Sequence, residues 1–177
     1  MNEAQVRDLV ESKLAVIPDF PETGVVFRDL TPVFADGPTF RALSEALTAP
    51  FAGRFDHLAG LEARGFLLAG AASALSGAGV LPVRKGGKLP RAVLREEYDL
   101  EYGTAALEVH EDELPPGSRV LIVDDVLATG GTVEAAATLI ERAGWRVAGV
   151  SVAIELLDLG GRARLGDDVE IHSVLRY

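Results

Sequence analysis

The sequence predicts an α/β fold: a central, mostly parallel sheet flanked by helices, with a small N-terminal hood. Three observations lead there. From about residue 56, strand-length apolar runs alternate with helical patterns, the order of βα units rather than of a sandwich. Runs such as VLIV and VAGVSVAI are apolar on successive residues, so both faces of those strands are covered, as in a parallel sheet between helix layers. The 177 residues amount to one domain, and a 48% hydrophobic content suffices for a sizeable core.

Val6, Leu9, Val10, Leu14 and Ile17 recur at three- and four-residue steps and predict an amphipathic helix over residues 3–16, stopped by Pro18 and Pro21. IPDFPETGVVFRDLTPVF, residues 17–34, has three prolines and no sustained helical period, so it reads as ordered but irregular or extended. Residues 1–35 thus form a helix and hood ahead of a core over 36–177, in one structural domain. Pro38 opens a helix over 38–50. Strand 57–63, helix 65–77 and strand 80–83 follow, then strands 104–110 and 119–125. A helix over 133–144, ended by Gly144, and strands 146–156 and 169–175 complete the series. Between them, residues 84–103 show no clear apolar period and read as a long flexible loop, a length that ordered cores carry for function.

Seventeen Lys and Arg stand against 27 Asp and Glu, for a net charge of −10. That balance argues against nucleic acid, whose phosphates need a basic face. With no cysteine, thiol nucleophiles, disulfides and zinc–thiolate sites are excluded. MNEAQVRDLVESK has neither a basic start nor a continuous apolar stretch, so no signal peptide is expected, and no run approaches a membrane span. The expectation is a soluble, cytoplasmic protein without a membrane partner.

RVLIVDDVLATGGTVEAA, residues 119–136, carries the chemistry. Its apolar run brings Asp124 and Asp125 to the carboxyl end of a strand, the edge where open α/β sheets gather ligands. Ala128, Thr129, Gly130, Gly131 and Thr132 then lead into a helix. Glycines let the backbone approach a ligand, helix-start N–H groups point outward, and two threonines add hydroxyls, which makes a phosphate cradle. Adjacent carboxylates cannot hold a phosphate but accept from vicinal hydroxyls or metal-bound waters, so the pair and the cradle together ask for a ribose 5-phosphate.

VLIVDDVLATGGT resembles the 5-phosphoribosyl 1-pyrophosphate (PRPP) signature of the type I phosphoribosyltransferase family. IPDFPETGVVFRDLTPVF resembles the hood of the adenine-using branch of that family, LEARGF its pyrophosphate loop, and VRKGGKLP with YDLEYG its catalytic loop. The likeness runs from about residue 14 onward and includes GVSVAIELLDLGGRARL. It implies the type I phosphoribosyltransferase fold, a homodimer, and the conversion of adenine and PRPP to AMP and pyrophosphate with Mg2+ held mainly by substrate oxygens and waters. The alternatives are a phosphoribosyltransferase for hypoxanthine or xanthine, or a non-enzymatic PRPP sensor.

The same resemblance assigns roles. The two acids take the ribose hydroxyls and residues 128–132 the 5-phosphate. The backbone of Val26 and Arg28 reads adenine, and Phe27 stacks on it. Ala63 and Arg64 meet the pyrophosphate, with a non-proline cis peptide at Glu62–Ala63 or Ala63–Arg64. Residues 84–95 hold five basic groups and no acid, a segregation that suggests an anion partner. The resemblance sends Arg84, Lys85 and Lys88 to the diphosphate, and Gly86, Gly87 and Gly103 are candidate lid hinges. Glu96, Glu97, Asp99 and Glu101 are equally placed by spacing to manage the purine proton; the resemblance selects Glu101, with Tyr102 closing the loop. His57, His110 and His172 share no spacing and are read as structural, and Trp145 as a packing residue.

Overall fold

The computed structural model describes residues 1–99 and 103–177. Helix α1 (Glu3–Lys13) opens with a capping box, in which the Asn2 side chain accepts from the Gln5 amide and the Gln5 side chain from that of Asn2. It buries Val6 and Val10 in the core and ends at an extended Leu14. Strand β1 (Ala15–Pro18) then pairs antiparallel with β2 (Val26–Asp29) in a separate two-stranded ribbon, and α2 (Thr31–Ala35) follows. The sequence reading left 17–34 irregular or extended because elements of four or five residues are too short to set a period. Helix α3 (Gly37–Thr48) is capped by Asp36, whose carboxylate accepts from the Thr39 amide and hydroxyl at 3.1 and 2.6 Å.

Strand β3 (His57–Leu61) leads to helix α4 (Arg64–Ser76), strand β4 (Gly79–Lys85), strand β5 (Val93–Asp99) and strand β6 (Thr104–His110). Strand β7 (Arg119–Leu127), helix α5 (Gly131–Arg142), strand β8 (Arg146–Glu155), helix α6 (Gly161–Leu165) and strand β9 (Ile171–Arg176) follow. The main sheet has the order β5-β6-β4-β3-β7-β8-β9. From β4 to β9 neighbouring strands are parallel; β6 runs antiparallel to both β4 and β5. Alternate residues of β7 face opposite layers: Leu121 and Val123 join α1, α3 and α4 in one apolar cluster, while Val120 and Ile122 join α5 in the other. The two covered faces explain why the sequence of β7 and β8 is apolar without alternation.

The expected loop over 84–103 is instead partly strand, since β4 runs through Arg84 and Lys85 and β5 occupies 93–99. VLREEYD escaped an apolar reading because an edge strand covers one face only and carries charge on the other. Arg142 of α5 closes over it, donating to the Arg95 carbonyl at 2.9 Å and pairing with Glu96. Trp145 is buried as expected, with Nε1 donating to the Leu114 carbonyl at 3.1 Å. The three histidines lie on three different strands.

Ala148 is the extra residue of a bulge, since Val120 faces Val147 and Leu121 faces Gly149. There the fully buried Phe51 ring lies against the Gly149 backbone, and a Cβ would sit 2.2 Å from Phe51 Cε1. Gly149→Ala is therefore expected to cost roughly 1–3 kcal/mol from overpacking. Urea unfolding of G149A, F51L and the double variant checks it: F51L should relieve part of the G149A penalty, and strict additivity would contradict the contact.

Candidate active site

Several of the predicted groups, Arg64, Asp124, Asp125 and the turn into α5, come together at the carboxyl ends of β3 and β7, the edge where an open sheet takes ligands. After β3, Glu62 and Ala63 turn the chain into α4, whose start carries no side-chain cap. The Glu62–Ala63 peptide is cis, one of the two bonds named by the resemblance. Gly65 allows α4 to meet β7 closely: a Cβ there would lie 2.9 Å from both Asp124 Oδ1 and the Val123 carbonyl oxygen.

Asp124 and Asp125 sit inside β7, which runs two residues further than expected, to Leu127. Asp124 is in register with Val152 of β8. Its Oδ1 accepts from the Asp125 amide at 2.9 Å. Burial pushes the Asp124 carboxyl well above the usual carboxylate range, and the neighbouring Asp125 charge adds to the rise. Asp125, only 8% exposed, has a counter-ion in Arg64, Nε to Oδ2 2.6 Å.

Beyond β7, Ala128, Thr129 and Gly130 form the turn into α5. Gly130, at φ 84°, stands at the helix cap, and among the described residues no side chain caps the first-turn N–H groups, which suits an anion there. Thr129 is exposed and Thr132 half-buried. The turn is braced from behind by Gly161: a Cβ on Gly161 would be 2.2 Å from the Ala128 carbonyl oxygen, and one on Gly130 2.8 Å from that of Gly161. The sequence reading assigned Gly161 no part, although the Gly160-Gly161 pair marks a close approach. Arg164 lies 3.5 Å from where a Gly131 Cβ would be and pairs with Glu134 at 2.6 Å.

The basic stretch is not bare. Glu62, with a side chain 10% exposed, pairs with Arg84 (Nε 3.4 Å) and Lys88, and accepts from the Lys85 amide at 2.9 Å. Those contacts lower the Glu62 pKa against the opposing effect of burial, which is the largest single influence on it. Glu108 accepts from the Gly87 amide at 2.8 Å and pairs with Arg95 at 3.0 Å, while Arg91 pairs with Glu113. Among the described residues only Lys85 of the five cations has no ion pair through its side chain. Acids distant in sequence but adjacent in the sheet neutralise what looked like a segregated charge. Gly87 and Gly103 have positive φ (81° and 96°).

On the ribbon, Val26 is 45% exposed and Phe27 half-buried, its ring meeting Phe20 edge-on with centroids 5.3 Å apart. Phe20, which the sequence reading gave no role, thus belongs to the aromatic face. Glu101 and Tyr102 lie outside the described residues. A cavity of about 320 Å³ between α1, α3 and β9 shares no residue with these groups.

Residues 40–169 match the model of the phosphoribosyl transferase domain. The chain is 62% identical over 170 residues to the adenine phosphoribosyltransferase of Clavibacter michiganensis subsp. michiganensis, covering 96% of this chain and 97% of that one. Its fold superposes on the crystal structure of adenine phosphoribosyltransferase from Rhodothermus marinus with a TM-score of 0.90 and 46% identity, across 98% of this chain and 99% of the other. The Saccharomyces cerevisiae enzyme, complexed with an imino-altritol bisphosphate and adenine, gives a TM-score of 0.91 at 34% identity, across 97% of this chain and 99% of the other.

Because the folded state raises the Asp124 pKa, it binds this proton more tightly than the unfolded chain does, so this group's contribution to stability falls as pH rises. Asp124→Asn should thus raise the melting temperature of the ligand-free protein at neutral pH, with a gain that shrinks as pH drops through the raised pKa. Thermal melts across that range check the sign; a gain that grows toward acid would contradict it.

Proposed function

The chain belongs to the adenine phosphoribosyltransferases of the phosphoribosyl transferase family, and on that premise we propose that the cluster just described joins adenine to PRPP, releasing pyrophosphate and AMP in purine salvage. The observation that carries the reading is the juxtaposition of an uncapped, Gly-opened helix start with the Asp124–Asp125 pair and Arg64 at one sheet edge. An anion fits the first, vicinal hydroxyls the second, and a diphosphate the guanidinium.

Residues Ala128 to Thr132 receive the 5-phosphate through backbone N–H groups and the Thr129 and Thr132 hydroxyls. Asp124 and Asp125 accept from the ribose 2- and 3-hydroxyls. Asp125 can do so fully only once Arg64 leaves it, and the arriving diphosphate supplies Arg64 with a stronger partner, so binding exchanges one ion pair for another. The same exchange moves Arg84 and Lys88 from Glu62 to the diphosphate, beside the side chain of Lys85 and the Ala63 backbone. In the reaction N9 of adenine forms a bond to C1 of the ribose, the C1–oxygen bond breaks with inversion, and the electron pair departs on pyrophosphate. Cations around the leaving group stabilise the charge where it develops. Val26 and Arg28 read the base through their backbone and Phe27 stacks on it. Glu101 takes the purine proton, and Tyr102 helps close the site against water, which would otherwise capture C1.

Mg2+ belongs to the same reading, held mainly by substrate oxygens and waters as this cation prefers, with the hard carboxylate oxygens of Asp124 and Asp125 nearby. When bound, Mg2+ neutralises and orients the diphosphate. A homodimer in the cytoplasm belongs to the same reading: Leu67 and Leu75 of α4 are exposed (53% and 37%), and among the described residues no helix is long and apolar enough to cross a membrane.

Purified protein supplied with PRPP, Mg2+ and each purine base in turn should form AMP from adenine. Nucleotide only from hypoxanthine or xanthine would move the reading to another purine, and PRPP binding without turnover on any base would make the chain a sensor. Glu101→Gln should lower kcat about 10²- to 10⁴-fold, the usual worth of a positioned acid–base group, with PRPP affinity nearly unchanged. Wild-type turnover in that variant would remove Glu101 from the mechanism.

A further inference from the structure

We propose that Tyr177 is a positioning residue for base binding: its ring clamps the Arg28 side chain and so fixes the base-reading strand of the hood on the sheet edge that holds the ribose phosphate. The inference rests on the reading of Val26, Phe27 and Arg28 as the adenine face, and it adds a residue to which the family resemblance gave no role.

The hood needs such an anchor. The β1–β2 ribbon has four residues in each strand and, among the described residues, pairs with no strand of the main sheet, and an isolated two-stranded ribbon is marginal in water. The Arg28 guanidinium carbon lies 3.7 Å from the centroid of the Tyr177 ring, cation–π stacking at close range. Arg28 Nη1 also donates to the Val26 carbonyl at 3.4 Å, so the clamped side chain is tied to the strand one residue before Phe27. Both ends of the reading segment are therefore referred to one guanidinium.

The ring in turn is fixed to the core. The Tyr177 amide donates to the Glu155 carbonyl at 3.0 Å, and its carbonyl accepts from the Leu157 amide at 2.7 Å, which ties it to the carboxyl end of β8. Its hydroxyl donates to Glu11 of α1 at 3.1 Å. The end of β8 is itself next to the phosphate turn, because the Leu156 amide donates to the Leu127 carbonyl at 2.9 Å. A continuous set of contacts thus runs from the cradle at Ala128, through Leu127, Leu156, Leu157 and Tyr177, to Arg28. Its chemical use is to hold the attacking nitrogen of the base in line with C1 of a ribose gripped by a different element, where small misplacements are costly.

The test compares Tyr177→Ala, Tyr177→Leu and Tyr177→Phe in the full chain. Loss of the ring in the Ala and Leu variants should raise KM for adenine roughly 3- to 30-fold, the range that a partly desolvated cation–π contact supports, with KM for PRPP within two-fold of wild type. Tyr177→Phe keeps the ring and should stay within two-fold for both substrates. Leu preserves apolar packing, so it carries the test if Ala compromises folding. Amide hydrogen exchange at residues 26–29 of the ligand-free protein should accelerate in the ring-loss variants and not in Tyr177→Phe, a readout that needs no turnover. An unchanged adenine KM, an equal rise for PRPP, an equal effect in Tyr177→Phe, or unaltered exchange each overturns the proposal. Absence of adenine turnover in the wild type strikes the proposed function instead, and the exchange result then decides the clamp alone.

Discussion

Two carboxylates on consecutive residues of a central strand, largely stripped of water, set the terms for the whole sheet edge. Asp124 pays for this with a raised pKa, and Asp125 is tolerated because Arg64 lies 2.6 Å away. That counter-ion reaches β7 only because α4 starts close to it, and α4 starts so close only because residue 65 is glycine. The turn into α5 follows from the same crowding: it leaves β7 two residues after the acids, passes Gly130 in a left-handed conformation and rests on Gly161, where neither glycine has room for a Cβ. A buried carboxylate pair of this kind marks a candidate ligand site.

The cations obey a complementary rule. In a chain of net charge −10, Arg64 is held by Asp125, and Arg84 and Lys88 share Glu62, so carboxylates offset part of the positive charge gathered there. On the proposed function, a diphosphate, with more charge and better donor-matching geometry than a single carboxylate, would displace Asp125 and Glu62 from their partners. On that proposal the acidic side chains hold the cations in place ahead of the substrate, and the acidity of the chain is part of how it would handle an anion. The hood is joined to the same edge through Tyr177 and Arg28, and on the proposed function it would carry the base.

How much of this was legible depends on whether the information is local. The alternation of β7, α5 and β8, their double burial and the Gly-opened turn of DDVLATGGT are encoded in contiguous residues and are readable from the chain. The strand β5 was not, because an edge strand rich in charge has no apolar period, and the ribbon and α2 were not, because they are too short to show one. The neutralisation of the basic stretch was invisible for a different reason. Glu62, Glu108 and Glu113 are 13 to 26 residues away from the cations they meet, and only the fold brings them together. Gly161 and Tyr177 act through contacts with no sequence signature beyond a glycine pair and an aromatic residue.

The exchange of Arg64 from Asp125 to the diphosphate is most directly followed by NMR of the Arg64 Nε–H group, assigned by its loss in Arg64→Lys. In the ligand-free protein this resonance reports a buried carboxylate partner. Addition of PRPP with Mg2+ should shift it, saturating with the same midpoint as binding measured by calorimetry. A resonance that stays in place at saturating PRPP would show that Arg64 never leaves Asp125, and would contradict an active site built on exchanged ion pairs.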